Sequence, residues 1–547
     1  MMQVSTKTLT GAKIIIETLK NLGVSTVFGY PGGIVLKVYD ELAKQTDIKH
    51  ILSRHEQASV HQAEGYTRAN LAICENDITK QAGAVGVVLV TSGPGATNIV
   101  TGLANAYLDG YPLVVLTGQV SKELIGKDAF QEVNIVDITR SCTKKSYQVI
   151  DVKNLEETIV DAFTTALSGK KGPVVIDLAK NIFVETTEFK GLKIQKEEKV
   201  LPDLSDVVTK IKLAKHPLIV AGGGVTHSQS NLALQSFARQ NNIPVVSTMM
   251  GLGNFLSKDP LYFGMIGLFG DFSANKILRE SDLILSLGAR FNDRITCCFK
   301  ENLRNRVIQV DISQKTHEVL GDILLNVKCD IASFLDKICE EKLPDFRFWA
   351  NEAQILKSQN AKNTKKSDNL HSFEVVQAVS EFVKGQEIPI ATEVGQHQLW
   401  VAKNFEFSNS GQFITSGGSG TMGFGFPASI GASLATKDVA ICFTGDGSFQ
   451  MNLQELATCV DYNLPVKIFV LNNGYLGMVR QLQEKFCEGR YSQTQISNPD
   501  FVKIASAYGI EALRVQNSSE IQPALARCFA TDKPFLIDFV VEPQEFV

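Results

Sequence analysis

The sequence contains no run of about 18 consecutive apolar residues, the length that a membrane-spanning helix requires. Its first residues, MMQVSTKTLTGAKIIIETLKNLG, also lack the basic region followed by an apolar run that marks a secretory leader. Both absences argue against a membrane protein and a secreted protein. We therefore expect a cytoplasmic protein that does not contact a membrane.

Neither the charge nor the cysteine spacing points to nucleic acid or to a metal cluster. The formal net charge is −4, so no electrostatic attraction to polyanions or anionic membranes is expected. The ten cysteines form no CxxC pair and no metal-ligand spacing, and only Cys297 and Cys298 are adjacent. We interpret them as reduced thiols, which agrees with a cytoplasmic location.

What the sequence does contain is a repeated alternation of strands and helices. Apolar, β-branched runs predict buried parallel strands at residues 85–95, 112–119, 172–180, 217–225, 281–291, 439–448 and 465–474. Amphipathic segments such as ATNIVTGLANAYLDG lie between them. This alternation predicts the α/β fold class.

The length predicts about three domains, because 547 residues are too many for one hydrophobic core. Two lysine-rich, weakly apolar stretches, 189–206 and 358–374, are interpreted as linkers. They divide the chain into blocks 1–185, 205–345 and 370–547. We predict that each block is a doubly wound parallel-sheet domain.

A glycine-flanked aspartate and a pair of asparagines end two of the predicted strands. Asp446 stands between Gly445 and Gly447, before the helical pattern SFQMNLQELATCV, and Asn473 ends the next strand. Since parallel strands end at one edge of a sheet, Asp446 and Asn473 can approach one cation, and the helix start can hold a phosphate. With a backbone carbonyl, assigned to Tyr475, and diphosphate oxygens, they would form an octahedral Mg²⁺ site. An ordinary glycine loop followed by an asparagine turn is the alternative.

The GDG and NN motifs at this spacing resemble the thiamin-diphosphate motif, and nearly the whole chain resembles the catalytic subunits of the acetohydroxyacid (acetolactate) synthase family. The resemblance rests on VFGYPGG (27–33), RHEQ (54–57), AEGYTRA (63–69), VTSGPGATN (90–98), LTGQV (116–120), DAFQE (128–132), GARFNDR (288–294), GTMGFGFPA (420–428) and NNGYLGMV (472–479). It implies a pyrimidine-binding first block, an FAD-binding-like central block and a diphosphate-binding third block. It also implies decarboxylation of pyruvate and ligation of its two-carbon unit to a second 2-oxo acid, the first common step of branched-chain amino-acid synthesis.

The resemblance further implies catalytic roles for five residues. Glu56 would hydrogen-bond the aminopyrimidine ring and favour its imino tautomer, and Gln131 would donate to a developing oxyanion. Gly33 would let the backbone approach the same centre. Lys180 and Arg294 would lie at the site entrance, where Arg294 would pair with the second substrate's carboxylate. An exposed helix glutamate and ordinary surface charges are the alternative interpretations.

Two sets of cofactor contacts are implied by the same resemblance, and Met422 would prop the thiazolium ring toward the pyrimidine. The thiamin-diphosphate set is Glu56, Val394, Gly395, Gln396, His397, Gly420, Met422, Gly445, Asp446, Gly447, Ser448, Asn473, Tyr475, Leu476, Gly477 and Met478. The FAD set is Gly222, Gly223, Gly224, Thr248, Met249, Met250, Gly267, Gly288, Arg290, Arg294, Asp311 and Ile312. FAD would have a structural or inherited role, because the net reaction is not a redox reaction.

Four positions depart from the family pattern. Ser121 stands where the family usually has proline, and Leu482 where it usually has tryptophan. Phe269 and Asp271 replace the usual histidine and small or hydroxyl residues near the flavin. These departures bear on acceptor choice and flavin retention rather than on Asp446, Asn473 or Glu56.

Related thiamin-diphosphate decarboxylases that release an aldehyde usually carry histidines near the cofactor, but the GYPGG segment contains none. The resemblance therefore implies that a second ketone, rather than a proton, traps the decarboxylated two-carbon unit. Rival interpretations are another thiamin-diphosphate enzyme, such as a pyruvate oxidase or an FAD-free catabolic acetolactate synthase, and a non-catalytic cofactor-binding scaffold. Implied partners are small 2-oxo acids, further copies of the chain in a homodimer or tetramer, and a regulatory small subunit. No nucleic-acid partner is expected.

Overall fold

A computed structural model describes residues 7–195, 203–313, 319–358 and 367–547. It contains three six-stranded sheets, one in each predicted block, and every strand pair within them is parallel. Helices cover both faces of each sheet, because two or more separate apolar clusters flank it. The predicted α/β class with three doubly wound sheets is confirmed.

The first sheet has the strand order β3-β2-β4-β5-β7-β6. Along β4, Val87 and Leu89 enter one apolar cluster and Val88 and Val90 enter the other, which explains why its sequence is continuously apolar. The elements are β1 Lys7–Thr10, α1 Gly11–Asn21, β2 Thr26–Tyr30, α2 Leu36–Leu42, β3 Lys49–Leu52, α3 Glu56–Ile73, α4 Ile78–Gln81, β4 Gly86–Val90, α5 Pro94–Thr97, α6 Val100–Asp109, β5 Leu113–Gln119, α7 Ile135–Thr139, β6 Lys145–Val149, α8 Leu155–Leu167, β7 Pro173–Ala179 and β8 Thr186–Phe189, with 3₁₀ turns at Ala82–Ala84, Val152–Asn154 and Lys180–Phe183. Strands β1 and β8 form a separate antiparallel pair.

The central sheet has the order β11-β10-β9-β12-β13-β14. Its elements are α9 Ser205–Leu213, β9 Pro217–Ala221, α10 Gly223–His227, α11 Asn231–Asn241, β10 Val245–Ser247, β11 Tyr262–Met265, α12 Phe272–Glu280, β12 Leu283–Leu287, α13 Asp293–Leu303, β13 Val307–Asp311, β14 Leu325–Lys328, α14 Ile331–Ile338 and α15 Arg347–Lys357, with a 3₁₀ turn at Met249–Gly251. Helix α15 packs on this block beyond the predicted boundary at residue 345, since the buried Trp349 indole donates to the Pro217 carbonyl (3.0 Å).

The third sheet has the order β16-β15-β17-β18-β20-β19. Its elements are α16 Ser372–Phe382, β15 Ile390–Thr392, α17 Gln396–Asn404, β16 Phe413–Thr415, α18 Gly425–Thr436, β17 Ala440–Gly445, α19 Asp446–Phe449, α20 Leu456–Asp461, β18 Val466–Asn472, α21 Gly477–Phe486, α22 Phe501–Ala507, β19 Glu511–Val515, α23 Ser518–Phe529 and β20 Phe535–Val540, with a 3₁₀ turn at Leu453–Glu455. Strands β17 and β18 are adjacent, as the predicted cation site requires.

The seven predicted strands are present, but two details of the prediction differ. The helical pattern after Gly447 does not form one helix, because residues 450–452 leave α19 and the Asn452 amide donates instead to the Gly423 carbonyl (2.7 Å). The predicted linkers are too long, since Ser205 and Ser372 already begin helices. Their central parts, 196–202 and 359–366, lie outside the described residues.

Helices α3 and α18 join the first and third blocks through glycine contacts. A Cβ on Gly65 would lie 1.9 Å from the Ala428 carbonyl oxygen, and one on Gly431 would lie 1.8 Å from that of Gln62. Only glycine permits this approach of the two backbones, so the relative position of the two blocks depends on these residues. Among the described helices, none is both long enough and apolar enough to span a bilayer.

The buried side chain of His61 is expected to make the stability of the folded protein depend on pH. Burial, aided by Arg68, lowers the pKa of His61 from 6.5 to about 3. Between pH 6.5 and about 3, His61 therefore binds a proton more readily in the unfolded chain than in the folded protein. The contribution of neutral, buried His61 to folding stability is fully present above pH 6.5 and is lost as the pH falls below that value. We expect the melting-temperature gap between wild type and His61→Gln to narrow from about pH 7 to about pH 5. Parallel melting curves would contradict this assignment.

Candidate active site

Asp446 and Asn473 lie at the same edge of the third sheet. Strands β17 and β18 pair with Gly445 opposite Leu471, so the residues that follow them leave the sheet side by side. The Asp446 carboxylate is only 2% exposed and accepts from the Gly447 N–H (2.9 Å), the Gly474 N–H (2.7 Å) and the Asn498 amide (2.7 Å). Burial raises the pKa of this carboxyl, and the three donors lower it. The arrangement holds one carboxylate in a fixed orientation.

A small cavity of about 60 Å³ lies against this carboxylate. Its lining includes the predicted thiamin-diphosphate set without Glu56 and Gly420, namely Val394, Gly395, Gln396, His397, Met422, Gly445, Asp446, Gly447, Ser448, Asn473, Tyr475, Leu476, Gly477 and Met478. Glycines shape it, because a Cβ on Gly477 would lie 2.1 Å from the Gln396 amide oxygen. The buried Nε2 of His397 has no hydrogen-bond partner among the described residues. The donor set and the open glycine wall therefore fit a diphosphate and a hard cation.

A larger cavity of about 500 Å³ lies between the central block and the other two. Its lining includes Gly223, Gly224, Thr248, Met249, Met250, Gly267, Gly288, Arg290, Arg294, Asp311 and Ile312. These residues are the predicted FAD set without Gly222. Gly222 lies behind the cavity wall, where a Cβ added to it would be 2.2 Å from the Gly288 carbonyl oxygen. Gly420 and Leu482 also line this cavity, and Val394, Gly395 and Met478 line both cavities. The two sites are therefore neighbours.

Glu56 is the first residue of α3 and lines neither cavity. One of its carboxylate oxygens accepts from the Asn98 amide (2.9 Å), and the preceding His55 caps the helix by accepting from the Gln57 N–H (3.1 Å). A Cβ on Gly95 would lie 3.4 Å from the other oxygen. Both Asn98 and Gly95 belong to the VTSGPGATN segment, so this segment fixes the glutamate.

Three of the other catalytic candidates, Gln131, Gly33 and Lys180, also lie in the first block. Gln131 has a left-handed backbone (φ 58°) and packs against Gly93. Gly33 is exposed on the loop after β2, and Lys180 is exposed at the end of β7. Arg294 is separate from them, at the larger cavity, where it is 63% exposed and lies 3.8 Å from the Asp293 carboxylate. Within one chain the structure thus gathers the cofactor sets but not Glu56, Gln131 and Asp446.

Comparison with known proteins finds thiamine pyrophosphate enzymes along nearly the whole chain. The central domain of thiamine pyrophosphate enzymes matches residues 204–338, and their N- and C-terminal TPP binding domains match residues 9–138 and 393–539. The chain is 40% identical to the acetolactate synthase large subunit of Lactococcus lactis subsp. lactis, covering 99% of this chain and 94% of the relative. Identity is 39% with the Haemophilus influenzae large subunit (99% and 96% covered) and 38% with the chloroplastic acetolactate synthase of Arabidopsis thaliana (98% and 82%).

The chain belongs to the acetolactate synthase family. Within that family, its two departures near the predicted flavin set lie in different surroundings. Phe269 lines the larger cavity, whereas the Asp271 carboxylate is turned away from it and accepts from the Met265 N–H (2.7 Å). Burial raises the pKa of Asp271. Asp271 therefore shapes the loop that carries Phe269 instead of facing the cavity.

Several site residues of this acetolactate synthase family member were not among the predicted site residues. Asn498 is 52 positions from its partner Asp446 and stands in an irregular segment. Lys170 and Lys171 line the larger cavity from the first block, and burial lowers the pKa of Lys171 to about 8. The Glu132 carboxylate accepts from the N–H groups of Lys127 (3.3 Å) and Ala129 (3.0 Å) and thereby shapes the Gln131 loop. Only Glu132 was adjacent to a predicted residue.

Proposed function

We propose that this chain is an acetolactate synthase that uses thiamin diphosphate and Mg²⁺ to join two 2-oxo acids. The products would be 2-acetolactate from pyruvate alone and 2-aceto-2-hydroxybutanoate when 2-oxobutanoate is the acceptor, and the step would serve branched-chain amino-acid synthesis. The observation that carries the proposal is the buried Asp446 carboxylate beside Asn473 at a glycine-lined cavity. The three named relatives are all acetolactate synthases, which supports neither a pyruvate oxidase nor a non-catalytic scaffold.

The proposed metal ligands are the Asp446 carboxylate, the Asn473 amide oxygen and the Tyr475 carbonyl. All are hard oxygen donors, which Mg²⁺ prefers, and a diphosphate would complete the coordination. The backbone N–H groups at the start of α19 would bind diphosphate oxygens. Of the three groups that hold the Asp446 carboxylate, the Gly474 N–H and the Asn498 amide donate to the same oxygen. Among the described residues, the other oxygen accepts a hydrogen bond from Gly447 alone. That oxygen retains capacity for a cation.

Thiamin diphosphate held by the residues that line the small cavity would supply a thiazolium carbon able to add to a 2-oxo acid and to take up the electron pair released with CO₂. Glu56, oriented by Asn98, would hold a proton at the aminopyrimidine ring, and Met422 would pack against the cofactor. Gln131 would donate a hydrogen bond to the substrate oxygen as negative charge develops. Arg294 would bind the acceptor's carboxylate at the mouth of the larger cavity.

The proposed assembly is a homodimer, or a tetramer built from it, in which a second copy brings Glu56 to the cavity at Asp446. The separation of Glu56 from both cavities within one chain supports this proposal. Phe130 is 88% exposed, and Leu36 and Val184 are each 59% exposed, close in sequence to Gln131, Gly33 and Lys180. An oligomer interface would cover such apolar side chains. The named relatives are large subunits, which supports a regulatory small subunit as a further proposed partner.

A product assay with purified protein tests the proposed function. Pyruvate alone, and pyruvate with 2-oxobutanoate, would be supplied with thiamin diphosphate and Mg²⁺, with and without FAD. Formation of acetolactate or acetohydroxybutyrate is the expected result. Acetyl phosphate or acetate without either product would favour an oxidase instead.

The proposed location of this activity is the cytoplasm. The ten free cysteines support this location, because thiols stay reduced there.

We predict that the purified protein binds FAD in the larger cavity. The turn after β9 contacts the turn after β12 there, and a Cβ on Gly224 would lie 2.6 Å from the Gly288 Cα. Gly224→Ala should therefore separate the two turns and weaken FAD binding by about 10-fold or more, as expected when a preformed site is distorted. Flavin absorbance and the thermal shift on adding FAD are the measurements, and the melting temperature of the flavin-free variant is the control. A wild-type protein that shows neither signal would belong with FAD-free acetolactate synthases.

A further inference from the structure

A buried carboxylate of the third block holds the chain just before Glu56. Glu455 is completely buried in the 3₁₀ turn Leu453–Glu455. One of its oxygens accepts from the Arg54 backbone N–H (2.8 Å). The other accepts from the Gln62 amide (2.9 Å) and the Thr458 hydroxyl (2.7 Å). Glu455 thus contacts both the segment before α3 and a side chain within α3.

Neighbouring groups complete this contact. The Ser53 hydroxyl donates to the Gln62 amide oxygen (2.9 Å), and the Leu52 N–H donates to the Tyr462 hydroxyl (2.8 Å). The N–H groups of Leu52 and Arg54 are therefore bound by the side chains of Tyr462 and Glu455 of the third block. Ser53, Gln62 and Glu455 are completely buried, so the loss of a partner of any of these side chains would leave an unsatisfied polar atom, which favours this one geometry.

The segment 52–54 determines where α3 begins. Strand β3 ends at Leu52, His55 has an extended backbone, and Glu56 is the first helical residue. A displacement of Arg54 would therefore move Glu56 relative to Asn98, whose amide donates to its carboxylate. A displacement of well under 1 Å is sufficient to disturb proton transfer between positioned groups.

We propose that Glu455 is a positioning residue for Glu56, which it holds in place through the Arg54 N–H and the Gln62 amide. This inference rests on the proposed function of Glu56 in proton transfer at the aminopyrimidine ring. It assigns Glu455 no contact with substrate or cofactor. Its effect should therefore appear in the proton-transfer step and not in cofactor affinity.

Glu455→Gln is the informative substitution because it preserves the shape of the side chain. The new NH₂ group would replace one acceptor oxygen, so it would face either the Arg54 N–H or the donors of Gln62 and Thr458. A buried donor would then face another donor, which the unsubstituted protein avoids. The double variant Glu455→Gln with Gln62→Glu restores a donor–acceptor pair, and it serves as the rescue variant.

The experiment measures exchange of the thiazolium C2 proton with D₂O in holoenzyme containing thiamin diphosphate and Mg²⁺. We expect Glu455→Gln to slow exchange by about 10-fold, the size of one buried hydrogen bond to a charged group, with thiamin-diphosphate Kd changed less than about 2-fold. The double variant should recover most of the exchange rate. The matched control is Asp461→Asn, which removes only the partly exposed pair with the Arg54 side chain and should exchange like wild type.

Wild-type exchange rates in Glu455→Gln would overturn the inference. The inference would also be overturned if Glu455→Gln lost cofactor affinity and proton exchange to the same extent and the double variant rescued neither. That result would indicate general unfolding and not a displaced Glu56. A wild-type protein that forms no acetolactate and shows no C2 exchange would instead overturn the proposed function itself.

Discussion

We expect Asp446→Ala to abolish thiamin-diphosphate binding, whereas Glu56→Gln retains binding and loses turnover. The alanine variant lacks the anionic ligand of the proposed Mg²⁺ site and leaves the Gly474 N–H and the Asn498 amide without their shared acceptor. Glu56 would contact only the aminopyrimidine ring, whereas the small cavity at Asp446 would hold the metal and the diphosphate, so substitution of Glu56 should spare most of the cofactor affinity. The loss in kcat for Glu56→Gln should be about 10²–10⁴-fold, the usual contribution of a positioned acid or base.

Calorimetric titration with thiamin diphosphate and Mg²⁺, together with the acetolactate assay, separates the two effects. Glu156→Gln is a suitable control, because Glu156 is also a buried carboxylate that accepts from backbone N–H groups, those of Lys190 and Leu192, but it lines neither cavity. Near-normal turnover in Glu56→Gln would show that Glu56 is not the proton-transfer group. Undiminished cofactor binding in Asp446→Ala would remove Asp446 from the metal site.

The parts of the fold and site that sequence reasoning found are those that depend on local pattern. Strands such as β4 and β17 are continuously apolar because both faces are covered, and that signal needs no knowledge of the tertiary structure. Asp446 and Asn473 each end such a strand, so the topology of a parallel sheet was sufficient to place them together. Their contact with Asn498 depends on a distant loop and could not be predicted from spacing.

The predicted helix after Gly447 was wrong for a related reason. Its helical spacing is real, but the Asn452 amide hydrogen-bonds to the Gly423 carbonyl, which belongs to the loop before α18. A tertiary contact thus overrides local propensity at residues 450–452. The break also permits the separate turn Leu453–Glu455, in which Glu455 reaches the first block.

Contacts among the three blocks were likewise invisible in the sequence. The buried Asp109 carboxylate accepts from the Arg68 guanidinium (2.9 Å), the Gly417 N–H (3.0 Å) and the Gly418 N–H (2.7 Å). Arg290 of the central block lies 3.7 Å from the same carboxylate. One side chain of the first block therefore contacts both other blocks beside the larger cavity, although AEGYTRA and the residues around Asp109 gave no indication of this arrangement.

The second large effect is expected at Leu482, for the choice of acceptor. Leu482 lies on α21 and lines the larger cavity together with Arg294, the proposed partner of the acceptor's carboxylate. The family resemblance implies that a tryptophan at this position would favour 2-oxobutanoate, which is one methylene longer than pyruvate. Its broad apolar face would contact that methylene, whereas leucine is smaller and more flexible. Leu482→Trp should therefore increase the preference for 2-oxobutanoate.

The size of the increase is bounded by the value of one methylene in an apolar pocket, roughly 1–3 kcal/mol or about 10–200-fold in discrimination. Both acceptors should be supplied together, and the ratio of acetohydroxybutyrate to acetolactate measured for wild type and Leu482→Trp. Lys485→Trp is the matched control, because it adds the same bulk to the same helix at an exposed position outside the cavity lining. An unchanged ratio in Leu482→Trp would mean that neighbouring side chains repack and that Leu482 does not determine acceptor choice. A raised ratio in that variant alone would assign the selection to the contact between residue 482 and the acceptor's additional methylene.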